Sequence, residues 1–161
     1  MNPKSIHAVL RGAIPVSEIS GEDDLDTHLL RDMAEQAAQY VRSFAWCLEL
    51  HEQFFADGVG GIAAIFLFFV TIRKVKKPEW IWVVVGDFPS AYMELGAGGN
   101  PQAVLLRYIE GVEEWLDASV EERLSGDLIP ILVPPGAELL ESLRGRLATL
   151  RSLVLPHLRG D

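Results

Sequence analysis

Cysteine is almost missing from this 161-residue chain, and Cys47 stands alone. One thiol excludes an intrachain disulfide and a thiolate metal cluster, and it suits a reducing, cytoplasmic compartment. Histidine is nearly as scarce: His7, His28, His51 and His157 lack the spacing of a zinc or iron site, so no metal is expected. Basic charge is in deficit too, with 14 Lys and Arg against 23 Asp and Glu and a net charge of −9. Such a body repels phosphate backbones, which argues against a nucleic-acid partner. The longest apolar run, Ile62–Ile72, has eleven residues. A spanning helix needs about 20, so no membrane span is expected. Residues 1–20 lack the basic-then-apolar order of a signal peptide, and none is expected. Cofactor motifs are absent as well. The loop Gly96-Ala97-Gly98-Gly99-Asn100 lacks the Lys-[Ser/Thr] of a phosphate-binding loop, and Pro101 stands where a dinucleotide fingerprint needs glycine. It reads as a mobile connector, and no cofactor is expected.

What the chain does have is apolar content, 49% hydrophobic residues with mean hydropathy +0.19. That is enough for a large core, and it excludes intrinsic disorder. The charge is uneven: −6 over residues 1–58, +4 over 59–78, −8 over 79–128 and +1 over 129–161. The basic stretch Arg73, Lys74, Lys76 and Lys77 fits a solvated turn that discourages edge pairing.

Hydrophobic spacing predicts one α+β domain over residues 1–161, ordered α-β-β-(β)-α-α, with a small antiparallel sheet packed by three main helices. Residues 1–21 read as an irregular lead, with Val9–Val16 a weak candidate strand. Leu25, Leu29, Met33, Ala37, Tyr40, Val41, Phe44, Leu48 and Phe55 recur at spacings of three, four and seven, which predicts a long helix over 22–56. Residues 62–73 and Trp80–Val85 read as a hairpin around Lys74–Pro78, and Ala91–Leu95 as a third, shorter strand. Asn100 and Pro101 suit the start of a helix reaching about Ala118, with an apolar stripe from Val104 to Leu116. A further turn at Val120–Leu124, a loop or edge strand at Leu128–Val133, and a last helix over Ala137–Leu155 complete the reading.

Both predicted hairpin strands are apolar on both faces. Ile65, Leu67 and Phe69 point one way and Phe66, Phe68 and Val70 the other; Trp80, Trp82 and Val84 oppose Ile81, Val83 and Val85. A strand with one wet face would alternate. Something must cover both sides of the sheet, either the chain's own helices or a second copy in a two-fold homodimer.

Candidate chemistry is sparse. Asp87 sits where a strand ends and is a candidate base or cation ligand; its plain role is to cap the turn before Pro89. Cys47, expected within the first helix, reads as a small buried hydrophobe. His28 and Asp32, one helical turn apart, form a surface pair at most. Two distinct functions remain, with self-assembly through the two-faced sheet as a companion to the first. The first is a non-catalytic binding protein, of immunity or adaptor type, neutralising a basic protein partner. Its contact surface would be the acidic side of the 100–118 helix, Glu110, Glu113, Glu114 and Asp117, with Glu121, Glu122 and Asp127 beside it. The second is a small enzyme with a strand-end pocket around Asp87, Tyr92 and Glu94.

The stretch Trp82-Val83-Val84-Val85-Gly86-Asp87-Phe88-Pro89-Ser90-Ala91-Tyr92 resembles a segment of a small uncharacterised bacterial protein family, Trp-Val-Val/Ile-x-Gly-Asp-Leu/Phe-Pro-x-x-Tyr. The likeness covers residues 80–118. It implies a bacterial cytoplasmic protein and brings no catalytic residues. It also implies that Gly86, Asp87, Pro89 and Tyr92 form one structural corner, with the Tyr92 hydroxyl satisfying a buried backbone group.

Overall fold

Five antiparallel strands lie in simple sequence order, β1-β2-β3-β4-β5, across a computed structural model that describes residues 3–120 and 137–160. The turn expected after Val120, the segment Leu128–Val133, and Glu121, Glu122 and Asp127 lie outside the described residues. The strands are β1 (Ile14–Pro15), β2 (Cys47–Val59), β3 (Ala63–Ile72), β4 (Lys77–Gly86) and β5 (Phe88–Glu94). The described helices are α1 (Pro3–Leu10), α2 (Asp24–Arg42), α3 (Pro101–Val120) and α4 (Ala137–Thr149). The architecture is therefore α+β, with helices before and after a small antiparallel sheet.

The sheet is covered on both faces by the chain's own helices. One face presents Ala63, Ile65, Leu67, Trp82, Val84 and Ala91, which pack on α3 and on Leu143, Leu147, Leu150 and Val154. The other presents Ala64, Phe66, Phe68, Val70, Ile81, Val83 and Val85, which pack on α2. Every residue of β3 from Ala63 to Phe68 is fully buried. A second copy would therefore have to bind elsewhere than on these faces.

Helix α2 begins where Asp23 accepts a bond from the Asp26 N–H at 2.8 Å, with Asp24 and Asp26 in its first turn. It buries Leu30, Met33, Ala34, Ala37, Ala38 and Val41. Leu25, expected in the stripe, is exposed. The helix stops at Arg42 rather than running to residue 56. Residues 47–59 instead form β2, which pairs with β3 from Cys47 opposite Ile72 to Val59 opposite Ala63. Leu48, Phe44 and Phe55 do match helical spacing, but a thirteen-residue strand gains a long ladder against β3 that local periodicity does not register. His51, Glu52 and Cys47 are thus strand residues. The lead is also more ordered than expected: α1 precedes β1, and a 3-10 turn spans Val16–Glu18.

Two glycines are required where they stand. Gly61 takes φ +80° in the β2–β3 turn, a conformation other residues adopt at a cost. A Cβ on Gly86 would collide with the Ile62 carbonyl oxygen and the Phe88 ring. Gly86 faces Phe88 across an irregularity in the β4–β5 ladder, so the two strands join in a very tight turn. The Arg73–Lys77 turn likewise holds Lys76 at φ 51°, and the Arg73 Nε donates to the Ala45 carbonyl at 2.9 Å.

Helix α3 starts as its sequence suggests, with the Asn100 side chain accepting from the Ala103 N–H at 2.8 Å. Val104, Leu105, Tyr108, Ile109, Val112, Trp115 and Leu116 are all buried. Helix α4 passes into a π-helical stretch, Leu150–Val154, and a 3-10 turn, Leu155–His157, containing Pro156. Among the described residues no helix is long and apolar enough to cross a membrane.

Candidate functional site

The strand-end residues do not converge. Asp87 lies in the β4–β5 turn and Glu94 closes β5 at its other end, roughly 20 Å away at about 3.3 Å per residue. Tyr92 lies between them on the α2 face of the sheet. The structure therefore keeps Asp87 apart from Tyr92 and Glu94, and Tyr92 and Glu94 border different surroundings.

Each has its own surroundings. The Asp87 carboxylate is exposed and stands 3.8 Å from the Arg146 guanidinium of α4. Its backbone N–H donates to the Ile62 carbonyl at 3.1 Å. A cleft of about 300 Å³ opens beside it, lined by Ile62, Phe88, Ser142, Gly145 and Thr149. Glu94 borders a separate cleft of about 580 Å³ with Lys77, Trp80, Leu95 and Gly96. Trp80 there stacks against Phe69 at a centroid distance of 4.8 Å. Tyr92 belongs to an aromatic nest with Tyr40, Phe44 and Trp46, its ring 4.9 Å from Trp46 and 5.1 Å from Phe44.

A tyrosine hydroxyl does satisfy a backbone carbonyl at Pro89, but it is not the one that the local resemblance implied. Tyr108 of α3, not Tyr92, supplies the hydroxyl, which donates to the Pro89 carbonyl at 2.6 Å. Burial pushes the Tyr108 phenol well above its ordinary range, with the Tyr40 phenol adding a smaller push. Burial also pushes up the Tyr40 phenol, whose hydroxyl faces the Tyr92 backbone without a hydrogen bond of standard geometry. The Trp46 indole N–H is buried and without a partner among the described residues. The Cys47 thiol, half-buried at the start of β2, is raised by burial against a smaller opposing pull from Arg42 and Arg73.

The glycine loop before α3 is anchored rather than free. The Trp82 indole N–H donates to the Leu95 and Gly98 carbonyls at 3.2 and 3.0 Å. The connector expected to be mobile is thus held to β4 by one side chain.

On α3, Glu110, Glu114 and Asp117 are exposed and Glu113 is half-buried. Two of these acids are tied to the C-terminal helical segment: Arg144 of α4 reaches Asp117 at 3.1 Å, and Arg151 of the π-helical stretch pairs with Glu113. Sequence spacing put the acids outside the apolar stripe but carried no sign of Arg144 and Arg151, because the pairing is tertiary. The pair of His28 with Asp32 at 3.4 Å is a surface contact. Among the described residues no group of three or more His, Cys, Asp or Glu side chains could hold a metal ion.

Sequence reasoning also passed over the clefts that flank the π-helical stretch. A larger one, about 600 Å³, lies between the start of α2, the β2–β3 turn and the C-terminal turns. It holds Glu22, Asp26 and Asp57 above an apolar floor of Leu30, Phe55 and Val154. Ile62 in the β2–β3 turn and Leu153 in the π-helical stretch, both exposed, line it. No protein-family model, curated protein or solved structure matches the chain.

Proposed function

We propose that the chain is a cytoplasmic, non-catalytic binding protein that neutralises a basic protein partner, in the manner of an immunity or adaptor protein. The observation that carries this reading is the placement of the carboxylates. Exposed carboxylates stand on α3 at Glu110, Glu114 and Asp117 and ahead of and at the start of α2 at Glu22, Asp23 and Asp24. A surface of one sign steers an oppositely charged partner and favours its encounter. The arginines on Asp117 and Glu113 hold those two side chains in place, while Glu110 and Glu114 face outward. The likeness of Trp82–Tyr92 to small bacterial proteins supports a bacterial setting.

Purification of the tagged chain from its host at low salt tests the reading. A basic protein should accompany it and leave as salt rises, because exposed charge pairs are screened. A chain that emerges alone at every salt concentration overturns it. Replacing Glu110 and Glu114 together by lysine should lose the partner if α3 carries the contact.

A further inference from the structure

Two clefts adjoin at the loop end of the sheet, and together they are called the trough. The cleft beside Asp87 and the cleft over Phe55 share Ile62 and Thr149 as common walls. The trough follows one side of the C-terminal helical segment from Ser142 to His157. At about 1.5 Å per residue that path is roughly 20 Å long, the reach of about six residues of extended chain. This is too long for one small molecule and suits a peptide.

Its chemistry has two parts. The floor is apolar, with Leu30, Phe55, Val154 and Leu158. Ile62 and Leu153, 42% and 64% exposed, stand on its walls where water would otherwise select polar side chains. Leu153 sits in the π-helical stretch, a widened turn that recurs at functional sites. Glu22, Asp26 and Asp57 line one end. No described basic side chain comes within 4.0 Å of these three carboxylates. Asp26 and Asp57 are held by backbone N–H groups instead: Asp26 accepts from Glu22 and Gly60, and Asp57 from Gly58 and Arg159. Each carboxylate oxygen accepts two bonds, so a cation can still be bound there without repacking. The arginine lining the trough is Arg146, already facing Asp87.

We propose that this trough docks an extended segment of the partner in which apolar side chains alternate with arginine or lysine. The apolar side chains sit on Phe55, Ile62 and Leu153, and the cations meet Glu22, Asp26 and Asp57. The inference rests on the reading of a basic protein partner and moves the contact from α3 to the end of the sheet.

The probe is a fluorescein-labelled hexapeptide alternating leucine with arginine, read by anisotropy against the full-length chain. It should bind at low salt and weaken in about 0.5 M salt. Hexapeptides alternating serine with arginine, or leucine with glutamate, should bind at least about tenfold more weakly, since both parts of the chemistry are needed. Leu153→Ser and Glu22→Lys, both at exposed positions, should each weaken the probe about tenfold, and Glu110→Lys should leave it unchanged. No binding, or binding indifferent to Leu153→Ser and Glu22→Lys, overturns the trough. Loss of the probe on Glu110→Lys alone also overturns it, while leaving a basic partner on α3. A dimer by light scattering that Leu153→Ser dissolves would give the trough to a second copy and overturn the proposal likewise. The parent reading fails separately, when the chain purifies alone from its host.

Discussion

The Tyr108 hydroxyl donates to the Pro89 carbonyl across 2.6 Å and so ties α3 to β5, the last strand of the sheet. The Tyr108 side chain is fully buried, with its ring 5.0 Å from Phe88. Tyr108→Phe keeps the ring and leaves the carbonyl without this donor. Its cost should be about 1–2 kcal/mol, the range for losing one partner of a buried hydrogen bond. Urea denaturation measures it. Tyr40→Phe is the internal comparison. Its hydroxyl is buried without a standard hydrogen bond, so its removal should be neutral or stabilising.

Trp82 has a second duty besides filling the core between β4 and α3. Its indole N–H holds both ends of the Gly96–Gly98 turn through the Leu95 and Gly98 carbonyls. Trp82→Phe should cost about 2–4 kcal/mol, combining lost volume with two carbonyls left short of a donor. Amide exchange should quicken at residues 96–100 more than in β3. Equal quickening throughout would mean that the indole does nothing specific for the loop.

Gly86 offers a sharper test of the β4–β5 turn. The Ile62 carbonyl approaches its Cα so closely that no side chain fits. Backbone rather than a flexible side chain is in the way, so relief requires the β2–β3 turn or the β4–β5 turn to shift. Gly86→Ala should therefore cost about 1–3 kcal/mol, as overpacking does. Gly99→Ala should cost far less, since a Cβ there meets nothing within 4 Å. Thermal melting of the two variants side by side decides the point.

Much of this fold was legible where local pattern and burial agree. The run Ala63–Phe68 is apolar at every position, and only a strand covered on both faces accommodates that. The α3 stripe from Val104 to Leu116 kept its helical period because one face of the helix meets the sheet along its length. The failure at 43–59 has the opposite cause. Phe44, Leu48 and Phe55 fall at helical spacing, yet Cys47–Val59 answers to β3, a partner later in the chain. The candidate site suffered the same way. Asp87 and Glu94 are near in sequence, but a strand holds its ends apart, so proximity along β5 is distance in space. Arg146, 59 residues beyond Asp87, is invisible to any local reading.

Alkaline pH should unfold the protein through its buried phenols. Burial raises Tyr108 and Tyr40 above the ordinary tyrosine value of about 10, so between that value and the folded one the native state keeps protons that the unfolded chain has lost. The native state then binds more protons, and unfolding free energy falls as pH rises. Below about pH 10 the two states are protonated alike and the effect vanishes. For Tyr108 the limiting slope is about 1.4 kcal/mol per pH unit. Tyr40 contributes less, because it remains partly in contact with solvent, which screens it. Denaturation midpoints between about pH 8 and pH 11 should bend downward near pH 10, and Tyr108→Phe should flatten that bend although it is the weaker fold at neutral pH. A phenolate absorbance titration supplies the independent check. If all three tyrosines ionise together near pH 10 in the folded chain, burial is not controlling them and the alkaline loss has another source.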